Sequence, residues 1–219
     1  MDNERKSMPM VALRGMTILP EMVVHFDVSR ERSIAAVQEA MTEEQKIFLA
    51  AQKSIETENP GKDDVYEVGT VATIKQIIKL PKHTVRVLVA GEERGILKEI
   101  ESDEPYLRAL VEIVNESDVE VPDNVNAQAM ERGLKDMLVE YAAKNGKMSK
   151  EAVAGLLEIK GLKKLVDEIA ANIPLNYADQ QELLSETDFW KRYEKLAFKL
   201  VNEMQIMNIK EEIQTKVRE

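Results

Sequence analysis

An α+β fold in two successive parts is predicted by three features of this sequence. Up to about Val114, short runs of apolar residues alternate with polar ones, as in half-buried strands. An acidic, proline-containing stretch, NESDVEVPDN at 115–124, then interrupts the pattern. Beyond it, apolar residues recur every three or four positions, as on helices. We therefore predict a β-rich unit over 1–117, a linker over 118–124 and a helical bundle over 125–219.

The β-rich part opens with a run, 13–41, that predicts a strand, a loop containing Pro20, a second strand and an amphipathic helix. Ile34, Val37 and Met41 form the expected apolar stripe of that helix. Two further strands are predicted over 46–51 and over 106–114.

A hairpin is predicted over 66–95, with the sequence LPKHT as its turn. The expected faces of its two strands are Val68, Ala72, Ile74 and Ile78 on the first and Val85, Val87 and Val89 on the second.

In the helical part, the sequence predicts four helices before the last one. Asn145-Gly146 ends the first, Ser149 caps the second, the third stops before Pro174, and a brief fourth covers 178–185. The stripes of the first three are Met130, Leu134, Met137, Leu138 and Tyr141, then Val153, Leu156 and Leu157, then Leu162, Leu165, Val166, Ile169 and Ile173.

The last helix runs without glycine or proline from Thr187, its expected cap, to the end of the chain. Its first half has a broad apolar face suited to a bundle, made of Tyr193, Leu196, Ala197, Leu200, Met204 and Met207. Its second half carries only a thin seam, Ile206, Ile209, Ile213 and Val217. We expect this half to project beyond the bundle, where the seam contacts a partner helix or continues as a stalk.

Composition excludes several classes of site. The chain has no cysteine, a net charge of −10 and a pI near 5.0, so thiolate chemistry is excluded and nucleic-acid binding is disfavoured. Basic residues do gather around the predicted hairpin: Lys75, Lys79, Lys82, His83 and Arg86. No signal peptide or membrane-spanning run is evident, so we expect a cytoplasmic protein without a membrane partner.

No catalytic motif accompanies these elements. Neither glycine-lysine pair completes a phosphate-binding P-loop. Of the two histidines, His25 shares a predicted strand face with Asp27, and neither histidine has a metal-ligand neighbour in the sequence. We expect no catalytic residue, no metal site and no cofactor in this chain.

Several short motifs carry a resemblance to a known family. They are Leu13-Arg14, Leu19-Pro20, Arg30 to Ile34, Ala40-Met41, the YEVGT segment at 66–70, Val87 to Gly91 with Arg94, and Ile173 to Leu175. In these the chain resembles the amino-terminal domain of the bacterial Lon proteases, ATP-dependent enzymes also called endopeptidase La.

The resemblance implies a PUA-like β-barrel with one helix, followed by an α-helical bundle that ends in a long projecting helix. It also implies that an ATPase, with its ATP and Mg²⁺, and a Ser-Lys protease lie downstream of Glu219. The expected partners are unfolded or damaged proteins and other Lon subunits in a homohexamer.

Capture of unfolded chains requires exposed apolar loops. The candidates are Met16, Leu19, Pro20 and Met22 in the first loop, and Leu80 and Pro81 at the hairpin. Alternatively, these loops bury their apolar residues locally. Three other functions stay open: a free-standing Lon-domain protein without a protease, a PUA-like nucleic-acid-binding module, and a hydrolase in its own right.

Overall fold

Residues 3–117 and 119–218 are described by a computed structural model. Positions 1, 2, 118 and 219 of the predicted segments lie outside these residues. The chain divides into a β unit, formed by residues up to Glu116 together with Leu175–Thr187, and a helical unit, formed by Ser117–Pro174 and the residues from Asp188 onward. The division differs from the predicted one, which placed 175–187 in the helical bundle.

Within the described residues, six strands and six α-helices give the α+β class predicted from the sequence. The strands are β1 Arg5–Leu13, β2 Val23–Val28, β3 Lys46–Ala51, β4 Val68–Leu80, β5 Thr84–Ser102 and β6 Leu107–Ile113. The helices are α1 Glu31–Thr42, α2 Val125–Asn145, α3 Lys150–Leu157, α4 Leu162–Asn172, α5 Tyr177–Ser185 and α6 Phe189–Arg218.

The strands form one mixed sheet in the order β2-β5-β4-β3-β1-β6, and an added β5–β6 pairing closes five of them into a ring. Among the strands of the described residues, the β1–β3 pairing is parallel and the others are antiparallel. The long β5 takes part twice, because its first half pairs with β2 and its second half with β6. The ring is therefore not a regular barrel: β2 is attached outside the closed set of strands.

A bulge in β4 changes which residues face the core. The β4–β5 register shifts between Ile74 and Gln76, so Lys75 is the extra residue. Ile77 consequently packs against the core, and Ile78 is 40% exposed. The prediction that Ile78 shares a face with Ala72 and Ile74 was wrong, since one added residue reverses the alternation.

The buried face of helix α1 is displaced from the predicted stripe: Val37 is buried, but Ile34 is only partly buried against the core. Ser33, Ala36, Val37 and Ala40 are its buried residues. Met41 is 36% exposed and lies off that face. Three of the four buried side chains are small, which lets the helix approach the sheet closely.

The ends of the helices in the helical unit largely follow the predicted signals. Gly146 takes the left-handed conformation after α2, with φ 68°, and the Ser149 hydroxyl accepts a hydrogen bond from the Ala152 N–H at the start of α3. All five predicted stripe residues of the helix before Pro174 are buried: Leu162, Leu165, Val166, Ile169 and Ile173.

The long helix α6 is capped one residue later than predicted. The Lys191 N–H donates to the Asp188 carboxylate at 3.0 Å, and the Arg192 N–H donates to the Asp188 carbonyl at 3.0 Å. Asp188 is therefore the capping residue, and the assignment to Thr187 was wrong.

The two halves of α6 differ in burial. Leu196, Leu200 and Met204 are buried in the helical unit. From residue 208 to residue 218 every side chain is exposed. With 30 residues, the helix is about 45 Å long.

Candidate functional site

The three strands β2, β5 and β4 present an exposed face to solvent. Side chains of directly paired residues lie on the same side of a sheet. The pairs Val23–Ala90, His25–Leu88 and Asp27–Arg86 join β2 to β5, and Gln76–Leu88 and Ile78–Arg86 join β4 to β5. We call this surface the outer face and define it by Val23, His25, Asp27, Gln76, Ile78, Leu80, Arg86, Leu88 and Ala90.

The outer face is rich in accessible apolar groups. Val23 is 70% exposed and Ile78 is 40% exposed, while Leu80, Leu88 and Ala90 are half-buried. The alternate residues of the same strands point into the core: Phe26, Val28, Ile74, Val85, Val87 and Val89. The three strands therefore bury apolar side chains in the core on one side and expose apolar side chains to solvent on the other.

The charges on the outer face are matched. The Arg86 guanidinium donates two hydrogen bonds to the Asp27 carboxylate, at 2.9 and 3.1 Å. These bonds hold the pKa of Asp27 below its ordinary value and raise the pKa of Arg86. His25 and Asp27 share this face, as predicted from their spacing, but the partner of Asp27 is Arg86.

The predicted contact loop is folded inward. Leu19 is 1% exposed, Pro20 is buried, and Met16 and Met22 are half-buried against the core. The Thr70 hydroxyl donates to the Ile18 carbonyl at 2.6 Å. The alternative in which this loop buries its apolar residues locally fits that placement.

The hairpin candidates lie at the end of the outer face. Leu80 is half-buried and Pro81 is exposed. Lys75, Lys79, Lys82 and His83 surround them, and all four are exposed. Lys82 and His83 both have positive φ, at 61° and 53°, so the turn is left-handed at two non-glycine residues.

Helix α5 holds the predicted contact loop in place within the β unit through hydrogen bonds. The Gln181 amide donates to the Val68 carbonyl at 3.2 Å, and its oxygen accepts from the Thr17 hydroxyl at 3.3 Å. The Arg94 guanidinium, 3% exposed, donates to the Leu184 carbonyl at 3.2 Å. Sequence patterns gave no signal for these contacts, which join residues 90 to 164 positions apart.

A cavity of about 690 Å³ opens on the β unit beside the start of α1. Its lining includes Arg14, Arg30, Arg32 and Glu104, and Arg32 pairs with Glu104 at 2.6 Å. Burial, and then the nearby charge of Arg14, lower the pKa of Arg30. Arg30 also donates to the Gln52 side chain at 2.8 Å, which ties α1 to the following loops.

Within residues 3–117 and 119–218, no group of three or more His, Asp or Glu side chains is arranged to hold a metal ion. No helix in the same residues is both long and apolar enough to cross a membrane.

The predicted seam on α6 is exposed along its length. The exposed fractions are 38% for Ile206, 55% for Ile209, 56% for Ile213 and 81% for Val217. Phe198, at 71%, lies on nearly the same side of the helix as Ile209, because eleven residues make about three turns. The apolar stripe is therefore longer than the sequence suggested.

Comparison with known proteins gives consistent results. Residues 7–202 match the family described as the ATP-dependent protease La (LON) substrate-binding domain. The chain is 39% identical to the Lon protease of Lachnoclostridium phytofermentans and 40% identical to that of Clostridioides difficile. These alignments cover 100% and 96% of this chain but 27% of each relative. The chain thus spans about a quarter of the length of these relatives.

Solved structures share the fold. The N-terminal domain of the Mycobacterium avium complex Lon protease superposes with a TM-score of 0.70 at 20% identity, covering 91% of this chain and 98% of that one. A Lon N-terminal domain protein from Xanthomonas campestris gives 0.59 at 17% identity, covering 87% and 96%. With a family match across most of its residues, the chain belongs to the LON substrate-binding domain family.

Proposed function

We propose that this chain captures unfolded segments of proteins for an ATP-dependent Lon protease, and that the outer face makes the contact. The observation that carries the proposal is the set of accessible apolar side chains on this sheet face, led by Val23 and Ile78. Unfolded proteins expose aliphatic and aromatic groups in many orders. An open apolar face accepts such variety better than a deep pocket of fixed shape.

The matched charges of the outer face support this assignment. Asp27 and Arg86 neutralise each other, so this pair adds no net charge to the outer face, and the exposed lysines lie at its hairpin end. Selection by the outer face then depends on exposed apolar side chains, which an unfolded segment presents and a folded protein mostly buries. ATP hydrolysis and peptide-bond cleavage belong, in this proposal, to other domains of a longer protein.

The proposal is tested by the double variant Ile78→Ser with Leu88→Ser. Both side chains lie on the outer face, so the core of the β unit is unchanged. Losing two apolar contacts is expected to weaken binding of fluorescein-labelled casein, measured by anisotropy, by about tenfold or more.

Ile55→Ser is the matched control, because Ile55 is 59% exposed and lies outside the outer face. Unchanged casein binding by the double variant would contradict the proposal. If casein binding were lost only in the double variant Met16→Ser with Met22→Ser, the contact with substrate would be assigned to the first loop.

We also propose that the seam on α6 packs against a helix of another subunit or of a stalk. Ile209 and Ile213 are each more than half exposed, and a row of isoleucines at three- and four-residue spacing suits a helical partner. In a protein with the further Lon domains, Ile209→Glu with Ile213→Glu should lower the hexamer fraction in sedimentation velocity. Gln214→Glu, at an exposed polar position, should leave it unchanged.

A further inference from the structure

Strand β2 has an open edge. It lies at the end of the sheet order, and within the described residues β5 is the strand that pairs with it. Its sequence, VVHFDV, contains neither lysine nor proline, the residues that commonly protect an exposed edge from pairing with another chain.

The hydrogen-bonding pattern fixes which backbone groups of β2 point away from the sheet. The Gly91 N–H donates to the Met22 carbonyl at 2.8 Å, so this carbonyl points toward β5, and so do the backbone groups of every second residue after it. Antiparallel pairs alternate in type along a ladder. Val24, Phe26 and Val28 therefore bond to β5, while the N–H and C=O groups of Val23, His25 and Asp27 point to the open side.

A cleft of about 110 Å³ lies beside this edge, between the end of β1 and the end of β2. Its lining includes Arg14, Met16, Phe26 and Ser29. The Arg14 guanidinium donates to the Thr57 carbonyl at 3.3 Å. Among the described residues, no carboxylate lies within ion-pair distance of Arg14, so the cleft offers a cation to a bound acidic group.

We propose that β2 accepts an extended segment of unfolded protein as an added strand, with an acidic side chain of the segment near Arg14. The inference rests on the proposed function and specifies how the segment is held. The unpaired row of donors and acceptors on Val23, His25 and Asp27 is complementary to another extended backbone, whatever its side chains. Alternate side chains of the added strand would extend the outer face, so one segment would use both features.

The decisive experiment changes the ligand and leaves the protein intact. The probe is a short peptide of alternating valine and threonine with a glutamate at one end, methylated on one backbone nitrogen at a time. Methylation should weaken binding about tenfold at every second residue, where the N–H donates to β2, and have little effect at the residues between.

The charge part of the proposal is tested with Arg14→Gln. This change should reduce affinity for the glutamate peptide to that for the matching glutamine peptide, a loss of about threefold to tenfold. Lys6→Gln, near the opposite end of β1, removes an equal charge and should have no effect. Equal losses in both variants would overturn the role of Arg14.

The outcomes separate strand addition from the proposed function. Peptide binding without two-residue periodicity would overturn strand addition, while the outer face is judged by Ile78→Ser with Leu88→Ser. Absence of peptide binding would also overturn strand addition, and casein binding would then decide the proposed function alone. A dimer in sedimentation velocity that is removed by His25→Pro would assign the edge to a second copy of the chain and overturn its assignment to substrate.

Discussion

Gly69 of β4 precedes Thr70, the residue that pairs with Leu49 of β3. A Cβ at this position would lie 2.4 Å from the Leu49 carbonyl oxygen and 2.7 Å from the Phe48 ring. The backbone oxygen cannot move without disturbing the β3–β4 ladder. Gly133 differs, because it lies inside α2 with nothing within 4 Å of its added Cβ.

Alanine at these two glycines should have opposite effects on stability. Gly69→Ala is expected to lower the unfolding free energy by about 1 to 3 kcal/mol through overpacking. Gly133→Ala should raise it by about 1 kcal/mol, since alanine favours a helix interior. Urea unfolding followed by circular dichroism measures both. A stable Gly69→Ala protein would show that β3 and β4 can separate at little cost.

Glu92 gives the β unit a defined dependence on pH. Burial raises the pKa of its carboxyl, but hydrogen bonds from Lys46 and Thr73 lower this pKa by more than burial raises it. The net pKa of Glu92 is therefore below the ordinary 4.5. A lowered folded-state pKa means that the ionised group stabilises the fold above pH 4.5. This stability is lost as the pH falls through the folded pKa.

Glu92→Gln should therefore lower the unfolding free energy at neutral pH and have little effect in acid. The difference from the wild type should shrink as the pH is lowered below 4.5. Urea titrations at successive pH values measure it. A difference that does not change with pH would mean that the carboxylate is not the stabilising form.

At the scale of elements, capping decides where α6 begins. Both Thr187 and Asp188 have side chains able to cap, and sequence alone does not distinguish neighbours of this kind. The structure selects Asp188, whose carboxylate accepts from the Lys191 N–H at 3.0 Å. Phe189, the next residue, is then the first buried side chain of the helix.

Asp188→Ala should destabilise the helical unit by about 1 kcal/mol, because a helix N–H loses its acceptor. Asp188→Asn retains an acceptor oxygen and should recover most of the loss. Thr187→Ala should change the unfolding free energy little. Equal losses for Thr187→Ala and Asp188→Ala in thermal unfolding would argue against Asp188 as the cap.

The strands show where period-two alternation is informative and where it fails. The strand predicted over 106–114 alternates regularly in the structure: Leu107, Ala109, Val111 and Ile113 of β6 are all buried, and the residues between them are half-buried. In β4 the bulge at Lys75 reverses which residues face the core, and the residue types at that point do not predict a bulge. Ile78 was therefore predicted to lie inside and became part of the outer face.

For the whole molecule, the sequence predicted the change from strands to helices but not that a late segment returns to the β unit. Local periodicity identified α5 as a helix. Its membership in the β unit depends on contacts such as Gln181 with Val68, which lie far apart in the chain. Most of the candidate site was missed for the same reason, since β2 becomes a neighbour of the predicted β4–β5 hairpin only in the folded sheet; Leu80 was the residue of the outer face named from the sequence.

The β unit should consequently be unstable without α5. A fragment of residues 3–117 loses the Arg94–Leu184 and Gln181–Val68 contacts, which leaves the buried Arg94 without one of its acceptors. We expect the fragment to unfold at lower urea than the β unit of the whole chain, and a peptide of residues 175–187 to shift its midpoint upward. An identical midpoint with and without the peptide would contradict this.

The return of α5 to the β unit also sets the order of folding during synthesis. A ribosome releases the chain from its amino terminus, so all six strands emerge before the segment that completes them. The β unit must wait for residues up to Thr187. Until then Arg94 lacks its Leu184 acceptor and Thr17 lacks its Gln181 acceptor, so we expect the β unit of a nascent chain to remain incompletely folded at this stage.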